Sequence, residues 1–123
     1  MGKIEKEYIV KPEEGIVVAF SYPEFTLESD CPLLGIVLTS MSYDEPDLDH
    51  YKGIARCGEH DKFSEETGRI IASAKADEKY HRAEAGRYAR AAAKLRQAVD
   101  IAERKANSHK KKASRIDNML KKY

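Results

Sequence analysis

SEETGRIIASAKADEKYHRAEAGRYARAAAKLRQAVDIAERKANSHKKKASRIDNMLKKY, residues 64–123, is the segment on which the architecture turns. It holds no proline, and most of its residues are strong helix formers: alanine, lysine, arginine, glutamate and leucine. Read back from the end, Tyr123, Leu120, Ile116, Ala113, His109, Ala106, Ala102, Val99, Leu95, Ala92 and Tyr88 recur at alternating steps of three and four, the spacing of a heptad seam. Only His109 breaks the apolar run. An unbroken helix from Ser64 would be about 90 Å long, more than a domain of this size buries along its length. It must fold back, pair with another chain, or lie on a partner.

Ser64 followed by Glu65 and Glu66 makes a helix start, with a hydroxyl to cap the first turn and two carboxylates facing the positive end of the dipole. The spacing places Ile70, Ile71 and Ala74 against whatever the helix packs on. Glu78 and His81 then interrupt the apolar stripe, which resumes at Ala85. The chain therefore divides into residues 1–76, a sheet with the docking part of the helix, and residues 77–123, a projecting helical arm. Gly86 and Asn107-Ser108 mark the places where that arm would kink or turn back.

In the first half of the chain, Ile4 to Val10 alternates, with Ile4, Tyr8 and Val10 on one face and Glu5 and Glu7 on the other, as a half-buried strand does. Lys11-Pro12-Glu13-Glu14-Gly15 supplies a turn, and Gly15 to Phe20 is a continuous β-branched run that reads as a central strand. Tyr22-Pro23 ends it. Leu33 to Met41, with Ile36, Val37 and Thr39, reads as a further strand, and Tyr51 to Cys57 as the last. The expected fold is α+β: an antiparallel sheet of three or four strands packed on the start of a long C-terminal amphipathic helix.

At 123 residues, 41% apolar and 35% charged, the chain is long enough for one core under a heavily charged surface. It has no apolar run of membrane-spanning length and no leader-like start, which predicts a cytoplasmic protein without a membrane partner. The net charge of +1 conceals two ends: residues 1–62 hold 13 acidic and 6 basic side chains, a net of −7, whereas residues 63–123 hold 8 and 16, a net of +8.

The basic end is carried by Arg82, Arg87, Arg90, Lys94, Arg96, Arg104, Lys105 and the run Lys110-Lys111-Lys112, a density suited to phosphate contacts. Glu78 with Arg82 and Asp100 with Arg104 stand at i,i+4 spacing and would neutralise part of it. The acidic end is a cluster, Glu24, Glu28, Asp30, Asp44, Glu45, Asp47 and Asp49, in the loops on either side of Leu33 to Met41. Such carboxylates solubilise loops; converging, they can also imitate a phosphate backbone and occupy a basic groove. Cys57 and His60 have the spacing of half a zinc site that Cys31 and His50 would complete, but a second close-spaced pair is missing, so no metal or cofactor is expected. The sequence shows neither a nucleophile beside a base nor a glycine-rich phosphate loop, and the reading is non-enzymatic.

Gly53-Ile54-Ala55-Arg56-Cys57, followed by Asp61-Lys62-Phe63 and Gly68-Arg69-Ile70-Ile71-Ala72, resembles a pattern of small uncharacterised phage and prophage proteins over residues 51–76. The chain departs from that pattern in having no proline after Cys57 and no arginine beside Lys75. The resemblance implies the sheet-and-helix part of a double-stranded-RNA-binding-like domain in a host cell's cytoplasm. The family carries no settled activity, but a phage origin, with the basic arm and the acidic loops as separate contact surfaces, leads to the expectation of an accessory protein that binds and inhibits or modulates a nucleic-acid-handling host complex, such as a defence nuclease in the manner of an anti-CRISPR. Two other readings rest on the arm alone. One is a coiled-coil oligomerisation module built on Tyr88, Ala92, Leu95, Val99, Ala102, Ala106, Ile116 and Leu120. The other is direct non-specific binding of duplex RNA or DNA.

Overall fold

The structure, a computed structural model, describes residues 4–24, 30–44, 49–58 and 62–123. Strand β1 (Ile4–Lys11) leads through a 3-10 turn (Pro12–Glu14) into β2 (Ile16–Pro23). Helix α1 (Pro32–Asp44), strand β3 (Tyr51–Arg56) and helix α2 (Glu65–Leu120) follow. The three strands form one antiparallel sheet in the order β1-β2-β3, so the β-branched run of β2 is central. No helix among the described residues is long and apolar enough to cross a membrane.

The β1–β2 turn works because Gly15 adopts a left-handed conformation at φ 65° and its N–H donates to the Pro12 carbonyl at 3.1 Å. Its own carbonyl accepts from the Cys57 N–H at 2.7 Å, tying the end of β3 to the turn. From there the register runs Val10 opposite Val17 and Val17 opposite Ala55. Val17, Ala19 and Ser21 of β2 all point to the buried face.

Helix α2 covers that face. Ser64 caps it, its hydroxyl accepting from the Thr67 N–H at 3.3 Å. The residues that meet the sheet are small: Gly68, Ala72 and Ala76, one turn apart, lie over Val17, Ala19, Gly53 and Ala55, with Phe63, Tyr8 and Val10 closing the edges. A Cβ on Gly53 would sit 2.1 Å from the Ala72 carbonyl oxygen and 2.6 Å from the Ala76 nitrogen, and one on Gly68 would sit 2.5 Å from Val17 Cγ2. The helix and sheet backbones are therefore closer than any side chain larger than hydrogen permits. This corrects the expected docking face. Ile70 and Ile71 are 64% and 43% exposed and Ala74 is exposed, because Ile70 lies about 200° around the helix from Ala72.

The second correction is Leu33 to Met41, which is helix α1 and not a strand. Leu34, Val37, Leu38 and Met41 stand at i, i+3, i+4 and i+7, a helical stripe that the β-branched residues around them obscure. Pro32 opens the helix at the position where its missing N–H costs nothing. The stripe packs on α2 around Ala91, burying Leu38 and Met41.

Helix α2 runs through Gly86 and Asn107-Ser108 without interruption. Two of its lysines close the outer edge of the sheet: Lys75 donates to the Ile54 carbonyl at 3.0 Å and Lys79 to the Lys52 carbonyl at 2.7 Å. Those are the carbonyls that an edge strand otherwise offers to another chain. Two glycines give opposite predictions for thermal or denaturant unfolding. Gly53→Ala drives a methyl into the helix backbone and costs about 3 kcal/mol or more. Gly86→Ala, where the new methyl meets only the end of the Arg90 side chain at 3.3 Å, stabilises by up to about 1 kcal/mol.

Candidate interaction site

The arm begins where α1 ends its cover. Ala91 is fully buried and Ala92 and Leu95 half-buried, and from Arg96 to Tyr123 every residue is exposed. Along this length the seam positions lie open, Val99 at 53% and Leu120 at 60% exposed, with Ile116 between them; Ile101 and Met119 are exposed beside the seam. Tyr88 of the same seam stands exposed on the domain side of Ala91, its ring 5.8 Å from the Arg87 guanidinium. Ala102, Ala106, His109 and Ala113 complete the strip.

The basic residues separate into three groups. Arg82 is paired with Glu78 at 2.8 Å, and Arg87 with Glu84 at 3.2 Å in a half-buried pair, so these two belong to the domain's own surface. Arg90 and Lys94 lie beside the α1 contact and are exposed. Arg96, Arg104, Lys105, Lys110, Lys111 and Lys112 lie on the bare arm. Arg104 does not meet the Asp100 carboxylate expected to neutralise it; its Nε donates to the Asp100 backbone carbonyl at 3.4 Å. Among the described residues, Lys105, Lys110, Lys111, Lys112 and Arg115 make no ion pair, and no acidic residue falls between Arg104 and Arg115. By helical phase, Arg104, Lys111 and Arg115 stand on the side of the helix opposite the seam. The arm thus presents two different surfaces, one apolar and one cationic.

Of the acidic cluster, Glu24, Asp30 and Asp49 are exposed, while the side chain of Asp44 and the whole of Glu28, Glu45 and Asp47 lie outside the described residues. Asp49 meets His50 Nδ1 at 2.6 Å, and the His50 ring lies near Phe20 and Tyr22. Tyr22 donates to Glu7 at 3.2 Å. Partial burial, then that hydrogen bond and the negative charges of Glu7 and Asp49, hold its phenol above the ordinary value of 10.0. No disulfide joins Cys31 and Cys57, and among the described residues no three potential ligands come together to hold a metal; His60 lies outside them. Around Cys57, a cleft of about 300 Å³ opens between the sheet and the first turn of α2, walled by Val17, Ala55, Phe63, Gly68 and Ile71.

One polar cluster has no local signature in the sequence. Lys6 on β1, Ser21 on β2 and Asp77 on α2 form a closed triangle inside the domain: Lys6 donates to Ser21 Oγ at 2.6 Å and pairs with Asp77, and Ser21 donates to Asp77 at 2.8 Å. The Ser21 side chain has no exposed surface and its proton is already committed to a carboxylate, so this hydroxyl cannot meet a substrate. The triangle is a structural tie. The one available hint is a lysine at an inward position of β1, between Ile4 and Tyr8, but its partner stands 71 residues away. No protein-family model, curated protein or solved structure matches the chain.

At Asp77, desolvation raises the carboxyl pKa, but the hydrogen bonds from Lys6 and Ser21 and the charges of Lys6 and His81 outweigh it and hold it below 3.8. A carboxyl depressed on folding stabilises the native state above its unfolded pKa and loses that contribution as pH falls through the lower folded value. Asp77→Asn should therefore cost about 1–2 kcal/mol at neutral pH, discounted for partial exposure. Urea denaturation compared with the parent should show that gap closing only below pH 3.8, the ordinary carboxyl value.

Proposed function

We propose that this is a non-enzymatic binding protein that engages and modulates a nucleic-acid-handling complex, with the helical arm meeting the phosphate backbone held by that complex. The observation that carries the reading is the stretch from Arg104 to Arg115: six cations, no acid, all exposed on a length of helix that nothing in the domain covers. Cations paired within a domain surface are solubilising. Cations without acidic partners along a rigid rod are placed to displace counterions from a linear polyanion, and that gives affinity without sequence reading. The resemblance over residues 51–76 supports the host-complex side of this reading by analogy of fold, and a phage-type origin would make inhibition of a defence nuclease one form of it.

A generic duplex RNA, titrated by fluorescence anisotropy at several salt concentrations, tests the contact. Six phosphate contacts give a slope of log affinity against log salt of about −5, and replacing Lys110, Lys111 and Lys112 together by Gln removes about 3 of that slope. Circular dichroism should show the helix unchanged. No binding at low salt, or a slope indifferent to the triple replacement, overturns the proposal.

A further inference from the structure

The apolar seam of the arm is flanked by Lys105, Lys110 and Lys112 while Arg104, Lys111 and Arg115 face away from it, and its own pattern says what covers it. In heptad terms Val99, Ala106, Ala113 and Leu120 are a positions, and Leu95, Ala102, His109 and Ile116 are d positions. We infer that this seam pairs with the same seam of a second copy of this chain, antiparallel, about a two-fold axis between Asn107 and Ser108.

The sizes are self-complementary in that register. Leu95 of one arm faces Leu120 of the other and Val99 faces Ile116, so the large residues meet at both ends. Ala102 faces Ala113 and Ala106 faces His109, so the small residues and the one polar residue meet in the middle, where the helices can approach closely. Because a two-fold interface repeats every contact, each pair counts twice.

Charge selects the same register. At the e positions flanking the seam, Glu103 comes opposite Lys110 and Arg96 opposite Asp117, each twice, against the repulsion of Lys105 with Lys112 at the g positions, also twice. Sliding the arms one heptad apart sets Glu103 against Asp117 and Lys110 against Lys110. Sliding them one heptad together drives the second copy's Leu120 past Leu95 towards the turn around Ala91, which α1 already covers. A parallel pair puts Lys105 beside Lys110 and stacks His109 on itself. The arm's partly covered base and its charge order thus leave the antiparallel register centred at 107–108.

Between Leu95 and Leu120 each arm carries seven basic and three acidic residues, so pairing opposes a net repulsion and strengthens as salt screens it. Phosphate binding responds to salt with the opposite sign, so either proposal can fail without the other.

The test uses the full chain with Cys31→Ser and Cys57→Ser. Analytical ultracentrifugation should show a dimer that tightens with added salt, and Ile116→Glu with Leu120→Glu, on a part of the helix that packs on nothing in the domain, should make it monomeric with unchanged circular dichroism. For orientation, chains carrying Ala102→Cys mixed with chains carrying Ala113→Cys should crosslink to one another under mild oxidation, while neither crosslinks to itself. A monomer at every salt concentration, a dimer that survives the two glutamates, or self-crosslinking of the Ala102→Cys chain overturns the inference.

Discussion

The structure depends on one close approach, the passage of the α2 backbone over Gly53. With the Ala72 carbonyl and the Ala76 nitrogen both inside the space a Cβ would need, helix and sheet are held at a spacing that only glycine and alanine permit. The same spacing brings Lys75 and Lys79 within reach of the β3 carbonyls, lowers Asp77 onto Lys6 and Ser21, and turns Ile70 outward. An interior built from Val17, Ala19, Ala55, Ala72 and Ala76 contributes little area per residue. The tie among Lys6, Ser21 and Asp77 and the lysine latches supplement it with directed interactions, which also fix the helix against sliding.

The parts of the fold legible in the sequence were those whose signal is local. Alternation in Ile4 to Val10, the β-branched run of β2, the cap at Ser64 and the long helix all come from spacing within a few residues. Two kinds of information were not local. The largest residues of α2, Ile70 and Ile71, suggest its docking face, whereas a sheet with Gly53 on β3 beneath the helix selects the smallest, and the sheet's shape is not written in the helix. In α1, β-branched Ile36, Val37 and Thr39 favoured a strand, and the decisive fact, the presence of Ala91 as a surface to pack on, lies far along the chain in another element. Of the candidate surfaces, the seam and the basic residues lie on the helix as spacing demanded, but which cations were spoken for was decided by neighbours: Glu78 for Arg82, Glu84 for Arg87 and a backbone carbonyl for Arg104.

The division of labour within α2 is also a division of solvent exposure. Its first turns give up their surface to the sheet, its middle gives up Ala91 to α1, and beyond Leu95 it gives up nothing. A stripe with Val99, Ile116 and Leu120 in water is unfavourable for an isolated chain, and a stretch of cations with few acids among them is unfavourable for a self-paired one. Each tension is relieved by a different kind of neighbour: a second seam for the apolar stripe, and a polyanion for the cations, of which Arg104, Lys111 and Arg115 face away from the seam and Lys105, Lys110 and Lys112 flank it.

Because α2 passes from the domain into the arm with no break at Gly86 or Asn107, there is no linker whose freedom must be lost when the arm is engaged. From Ala91 to Leu120 the helix spans about 44 Å at its normal rise. A flexible segment of the same number of residues would average about 30 Å and sample every direction. This protein carries a strut in place of a tether. Whatever is held at the tip is held at a set distance from the domain, and a load on the tip acts on the seat at Gly53.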